Sequence, residues 1–158
     1  MAKAFTEIGN EADNLDKREW LGLLLDREAS WRQDKRFTAR LRHAKLRQQA
    51  CVEDIDYRSP RGLDRSVLQR LVEGQWIDDH DNLALIGPTG VGKSWLASAL
   101  GHKACRDNRS VLYHRIPKLF EDLAMARGDG RHPRLLRSLG RADLLILDDV
   151  DGLSLTAS

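Results

Sequence analysis

Residues 83–94 read Leu-Ala-Leu-Ile-Gly-Pro-Thr-Gly-Val-Gly-Lys-Ser. Four apolar residues run directly into Gly87-Pro88-Thr89-Gly90-Val91-Gly92-Lys93-Ser94, which fills every fixed position of the phosphate-binding pattern G-x-x-x-x-G-K-[ST]. The residue types suit a bound triphosphate. Glycines let the backbone curl so that successive N–H groups converge on phosphate oxygens. A helix from about Lys93 to Cys105 aims its partly positive N-terminus at the same anion. Lys93 has the reach for the β- and γ-phosphates, and the Ser94 hydroxyl is a Mg²⁺ ligand by type and position. A strand over residues 83–86, this loop and the helix form a Walker A unit.

Downstream, Asp107-Asn108 turns the chain into a second strand, Ser110 to His114. Pro117 suits the first turn of a helix carrying Leu119, Phe120 and Leu123. Gly128-Asp129-Gly130 breaks the chain, Pro133 starts another helix and Gly140 ends it. Then Leu144-Leu145-Ile146-Leu147 predicts a strand buried on both faces, running into Asp148-Asp149. An apolar strand delivering acids at its C-terminal edge is where open α/β sheets place their chemistry. It reads as a Walker B segment, with Asp148 holding Mg²⁺ through water and Asp149 orienting or deprotonating an attacking water. Strands alternating with helices predict an α/β fold with a parallel sheet and right-handed crossovers.

Upstream, residues 1–15 lack periodicity and are expected to fray. Asp16 followed by Glu19 resembles a capping box opening a helix with Trp20, Leu21, Leu24, Leu25 and Trp31, which continues to about Gln49. Between Arg32 and Arg47 the local charge is +6. Arg32, Arg36, Arg40, His43 and Arg47 share a stripe of the helical wheel beside an apolar stripe of Phe37, Leu41 and Ala44. Two readings stand: a solvated face beside a core contact, or contact of Arg32, Arg36, Arg40 and Arg47 with nucleic-acid phosphates. Residues 52–63 read as a linker, and Asp64 caps a lead-in helix bearing Val67, Leu68, Leu71 and Val72. Gly74 and the polar stretch Asp78 to Asn82 end that helix. The chain thus divides into a basic helical arm (1–51), a linker with lead-in helix (52–82) and a P-loop core (83–158).

Over 158 residues the apolar fraction is 41% and the charged fraction 32%, as in a globular protein with a charged surface. The N-terminus has no apolar signal core and no later run is long enough for a bilayer, so the expected location is the cytoplasm, with no membrane partner. Cys51 and Cys105 lie far apart without metal-ligand spacing, which predicts idle thiols rather than a disulfide framework. The histidines likewise show no ligand spacing.

The run Cys51-Val-Glu-Asp-Ile-Asp-Tyr-Arg-Ser-Pro-Arg-Gly-Leu-Asp-Arg65 resembles the lead-in of the IstB-type ATPases, helper proteins of bacterial insertion-sequence transposition. Gly87 to Ser94, Ala99-Leu-Gly-His-Lys-Ala-Cys105 and Leu144-Leu-Ile-Leu-Asp-Asp149 are similar to the same family, so the match covers about Asp16 to Asp149. The resemblance implies an AAA+ (ASCE-type) P-loop NTPase related to the helicase loader DnaC, with ATP and Mg²⁺ as cofactors. It implies ATP-dependent oligomerisation on DNA and a cognate transposase as partner, while the phosphate contacts read for the arginine stripe carry no sequence preference. Carried onto this chain, Gly87 to Ser94 bind phosphates, Ser94 and Asp148 serve Mg²⁺, and Lys93 and Asp149 serve hydrolysis. The family pattern continues through a further strand, inserted between the Walker A and Walker B strands, and an arginine finger. The sequence stops nine residues after Asp149. The expectations are therefore an incomplete sheet, closed by direct pairing of the Walker strands or left open between Ile86 and Leu147, and poor or absent hydrolysis. The competing readings are an inactive fragment that binds DNA or a partner, a DnaC-like helicase loader, and a small-metabolite P-loop kinase.

Overall fold

The computed structural model describes residues 16–57 and 64–149. The expected fraying of residues 1–15, linker positions Ser59, Pro60, Arg61 and Gly62, and the tail after Asp149 lie outside the described residues. The chain forms two compact units, dividing between Ala39 and Arg40.

Helix α1 (Lys17–Ala44) opens where the capping pattern places it, with the Asp16 amide donating to Glu19 Oε2 at 3.3 Å. It ends five residues before Gln49, the expected terminus. Lys45 takes φ 52°, a left-handed conformation that turns the backbone out of the helix.

In the second unit, Val52–Asp54 makes a single 3₁₀ turn. This corrects the reading of the segment as a linker: Ala50, Val52 and Ile55 are buried in the main core with Leu68, Leu96, Ala99 and Leu100. Apolar side chains at positions 50, 52 and 55 gain more from that burial than a solvated connection could, about 1.5–3 kcal/mol for a full branched side chain. Helix α2 (Arg65–Glu73) is capped as predicted, with Asp64 Oδ1 accepting from the Ser66 amide at 2.7 Å. A short α3 (Gln75–Asp78) follows directly.

Helix α4 (Lys93–Arg106) buries Leu96, Ala99, Leu100 and Ala104, whose spacing of three and four residues makes one apolar face. Strand β1 (Val111–Arg115) alternates, with Val111 and Tyr113 buried. Helices α5 (Ile116–Gly128) and α6 (His132–Leu139) connect it to β2 (Leu144–Asp148), and each carries a proline in its first turn. β1 and β2 pair in parallel, with Tyr113 opposite Ile146 and Arg115 opposite Asp148.

Two strand expectations are corrected. Residues 83–86 form no strand: Leu85 turns inward to pack on the core while Ile86 is 93% exposed. β2 is not buried on both faces, since Leu145 and Leu147 are 38% and 45% exposed. The causes are shared. Among the described residues the sheet is two-stranded, and β2 finds a pairing partner only in β1. Direct pairing of the two Walker segments does not occur, and the apolar run 83–86 has no ladder to join. No helix among the described residues is long and apolar enough to cross a membrane.

Candidate nucleotide site

The loop between Ile86 and α4 gets its shape from two glycines. Gly90 and Gly92 have φ +85° and +94°, values that L side chains rarely adopt. Gly92 is also the N-cap of α4 and accepts from the Leu96 amide at 2.9 Å, so the loop curls straight into the helix. The first amides of α4 have no intrahelical acceptor and carry the positive end of the helix dipole. Residues 86–91 are exposed, which leaves the concave side accessible. Lys93 Nζ folds back over the loop, donating to the carbonyls of Gly87 at 2.6 Å and Pro88 at 3.0 Å.

Ser94, on the first turn of α4, donates from Oγ to Asp148 Oδ1 at 3.0 Å. The loop and the end of β2 therefore meet at two side-chain oxygens. Asp148 Oδ2 accepts from Arg47 Nη1 at 3.1 Å and from the Tyr113 hydroxyl. Asp149 Oδ2 accepts from Arg115 Nε, and Asp149 Oδ1 lies 3.7 Å from Arg47 Nη1. Asp149 has φ 61°, a left-handed conformation that aspartate tolerates better than most side chains.

Electrostatics follow from these contacts. Burial acts to raise the Asp148 carboxyl. The bonds from Tyr113, Ser94, the Asp149 backbone and Arg47 outweigh it and hold the group below the usual aspartate value. Tyr113 is pushed up to about 12 by burial and then by the neighbouring Asp148. Arg47 is raised, chiefly by its bond to Asp148. Asp148 is thus an anion whose neighbours are donors.

The donor set fits Mg²⁺. One hydroxyl and one carboxylate are the few protein oxygens this ion takes when phosphates and water supply the rest. Among the described residues no group of three or more His, Cys, Asp and Glu side chains is placed to hold a metal on its own.

Of the residues read as the site, the structure joins Ser94 to Asp148, while Asp149 is held by Arg115. The four arginines read as phosphate contacts do not behave as one ridge. Arg32 pairs with Glu28 at 2.8 Å, within one helical turn. Arg36 is exposed. Arg40 donates to the Cys105 carbonyl at 2.9 Å and to Asn108 Oδ1 at 2.8 Å, so its cation sits at the negative end of α4. Arg47 is engaged by the two acids. Wheel position gives Arg32, Arg36 and Arg40 a common side of α1, whereas Arg47 lies past the end of that helix; acceptors on α4 and β2 engage Arg40 and Arg47.

Sequence reasoning missed Tyr113, Arg115 and Arg47 as neighbours of the acids. The first two lie on β1, and only the parallel register sets them beside Asp148 and Asp149. A second basic feature was also missed. A cleft of about 460 Å³ opens where β1 begins, walled by Arg134, Arg137 and Arg141, with His43 at its side.

Comparison with known proteins places these features in context. The family described as IstB-like ATP binding protein matches residues 1–157. The insertion sequence ATP-binding protein y4pL of Sinorhizobium fredii is 66% identical over 94% of this chain and 62% of its own length. The IS1162 ATP-binding protein of Pseudomonas fluorescens is 53% identical over 94% of this chain and 66% of its own length. The IS21 ATP-binding protein of Pseudomonas aeruginosa is 35% identical over 86% of this chain and 51% of its own length. The chain thus spans roughly half to two thirds of the length of these relatives.

Proposed function

The chain belongs to the IstB-like ATP-binding proteins of insertion sequences, and from that premise we propose that it binds ATP–Mg²⁺ at the Gly87–Ser94 loop as a helper of DNA transposition. The observation that carries the reading is the 3.0 Å bond from Ser94 to Asp148, which aligns the phosphate loop with the carboxylate that would share the ion. Lys93 neutralises the outer phosphates, and the amides of the glycine loop hold the inner ones. Mg²⁺ offsets phosphate charge when bound. Asp149 is the group that holds or accepts a proton from an attacking water. Cytoplasmic location, self-association and a cognate transposase are parts of the same proposal. So is sequence-independent contact with DNA phosphates by Arg32, Arg36 and the cleft arginines.

A fluorescent ATP analogue titrated with Mg²⁺ tests the core of this reading. Binding should weaken at least about tenfold in Lys93→Ala, as loss of a charge-assisted contact to phosphate implies. Equal binding by the wild-type chain and Lys93→Ala would overturn it. For the DNA part, affinity for duplex DNA should fall steeply with salt, and the slope should shrink in Arg134→Ala with Arg137→Ala. A salt-independent curve would remove that part alone.

A further inference from the structure

Arg47 reaches the acid pair because the chain around it is anchored. Lys45, at φ 52°, turns the backbone out of α1. Leu46 then seats against α4 at Gly101, where a Cβ would stand 2.9 Å from Leu46 Cδ2 and 2.8 Å from Ile146 Cδ1. Ala50, three residues past Arg47, is buried in the core. Between these anchors the guanidinium lies over both acids, 3.1 Å from Asp148 Oδ2 and 3.7 Å from Asp149 Oδ1. The surrounding contacts take up the other carboxylate oxygens: Ser94 on Asp148 Oδ1, and Arg115 on Asp149 Oδ2. A guanidinium and a hard divalent cation use the same carboxylate lone pairs and the same negative charge, so they cannot both be satisfied there.

We propose that Arg47 is a positioning residue of the nucleotide site, whose side chain competes with the nucleotide's divalent cation for Asp148 and Asp149. Loading the site releases the Arg47 side chain from the two acids. The coupling is reciprocal: whatever holds Arg47 elsewhere favours metal–nucleotide binding by the same factor. The inference rests on the nucleotide site proposed above. The pair is partly solvated, with the Arg47 side chain 42% exposed, so the competition is a modest one.

The test is the affinity of a fluorescent ATP analogue in Mg²⁺ divided by its affinity in EDTA. In Arg47→Gln this ratio should rise about three- to tenfold. A merely structural role would weaken binding in both conditions, because the site would be damaged. An unchanged or lower ratio in Arg47→Gln overturns the proposal. Absence of nucleotide binding by the wild-type chain in either condition overturns the site itself, a separate outcome. Should Arg47→Gln not fold, the wild-type chain carries the test. Tryptic cleavage after Arg47, whose side chain is then free to enter the protease, should accelerate about threefold or more with Mg²⁺ and the analogue, but not with analogue and EDTA. An unchanged cleavage rate overturns the release.

Discussion

Ser94 and Asp148 lie 54 positions apart in sequence and share a 3.0 Å hydrogen bond. The bond ties the first turn of α4 to the last residue of β2, so the helix that follows the phosphate loop is held in register with the strand that bears the acids. Removing the hydroxyl separates two consequences. Ser94→Ala should abolish most of the Mg²⁺ enhancement of nucleotide binding while leaving affinity in EDTA within about twofold. Stability should drop by only about 1 kcal/mol, the net worth of one such bond. Titrations in Mg²⁺ and in EDTA, with a urea melt, check both. Full Mg²⁺ enhancement in the variant would remove Ser94 from the metal set.

Gly92 is expected to resist any side chain. At φ +94° an alanine is strained by about 1–2 kcal/mol, and relief of that strain moves the loop amides. Gly92→Ala should therefore lose stability in urea and weaken nucleotide binding in both Mg²⁺ and EDTA, unlike Ser94→Ala. Unchanged nucleotide affinity would show that the curled loop is not the binding element.

The entry to the sheet has its own clamp. Asp143 Oδ2 accepts from the Ser110 amide and hydroxyl, each at 2.7 Å, and the Asp143 amide donates back to Ser110 Oγ at 3.0 Å. The backbone bond from Ser110, then its hydroxyl, lower the Asp143 carboxyl below the usual aspartate value. A lowered carboxyl contributes stability that is complete above the unfolded value, about 3.9, and is lost as pH falls through the folded one. Asp143→Ala should cost about 0.5–1.5 kcal/mol at pH 7, at the low end for a charged acceptor because the residue is exposed. Thermal melts should show that gap constant down to about pH 5 and narrowing below about pH 4. A gap that widens in acid would contradict the assignment.

Gly101 sets two effects against each other. Alanine in a helix interior gains about 1 kcal/mol over glycine, but its Cβ would push into Ile146 and Leu46, at 2.8 and 2.9 Å. Overpacking of that kind costs about 1–3 kcal/mol. Gly101→Ala should therefore come out destabilising, by about 1 kcal/mol, and less so by about 0.5 kcal/mol or more in a Leu46→Ala background. A double-mutant cycle by urea denaturation measures the coupling. Strict additivity would mean that Leu46 does not seat there.

Much of this molecule is legible along the chain. The curled glycine loop at 87–92 is written in consecutive residues, as are the Asp64 cap and the prolines that open α5 and α6, because each of these features acts over one turn. The acid pair at the end of β2 is legible for the same reason. The strand expected at 83–86 was not realised, because an apolar run becomes a strand only beside a partner, and pairing is not a local property. The segment at 52–57 looked like a connection because its polar residues are local signals, whereas Val52 and Ile55 acquire their value from a core assembled elsewhere.

The amino-acid order alone determined that a glycine-rich loop precedes a helix, that two acids end an apolar strand and that a basic helix comes first, since backbone conformation and charge density act between near neighbours. Only the tertiary structure decided which donors meet those acids. Tyr113, Arg115 and Arg47 reach them through strand register and the turn at Lys45. Electrostatic partnership depends on distance in space, and folding sets that distance with little regard for separation in sequence.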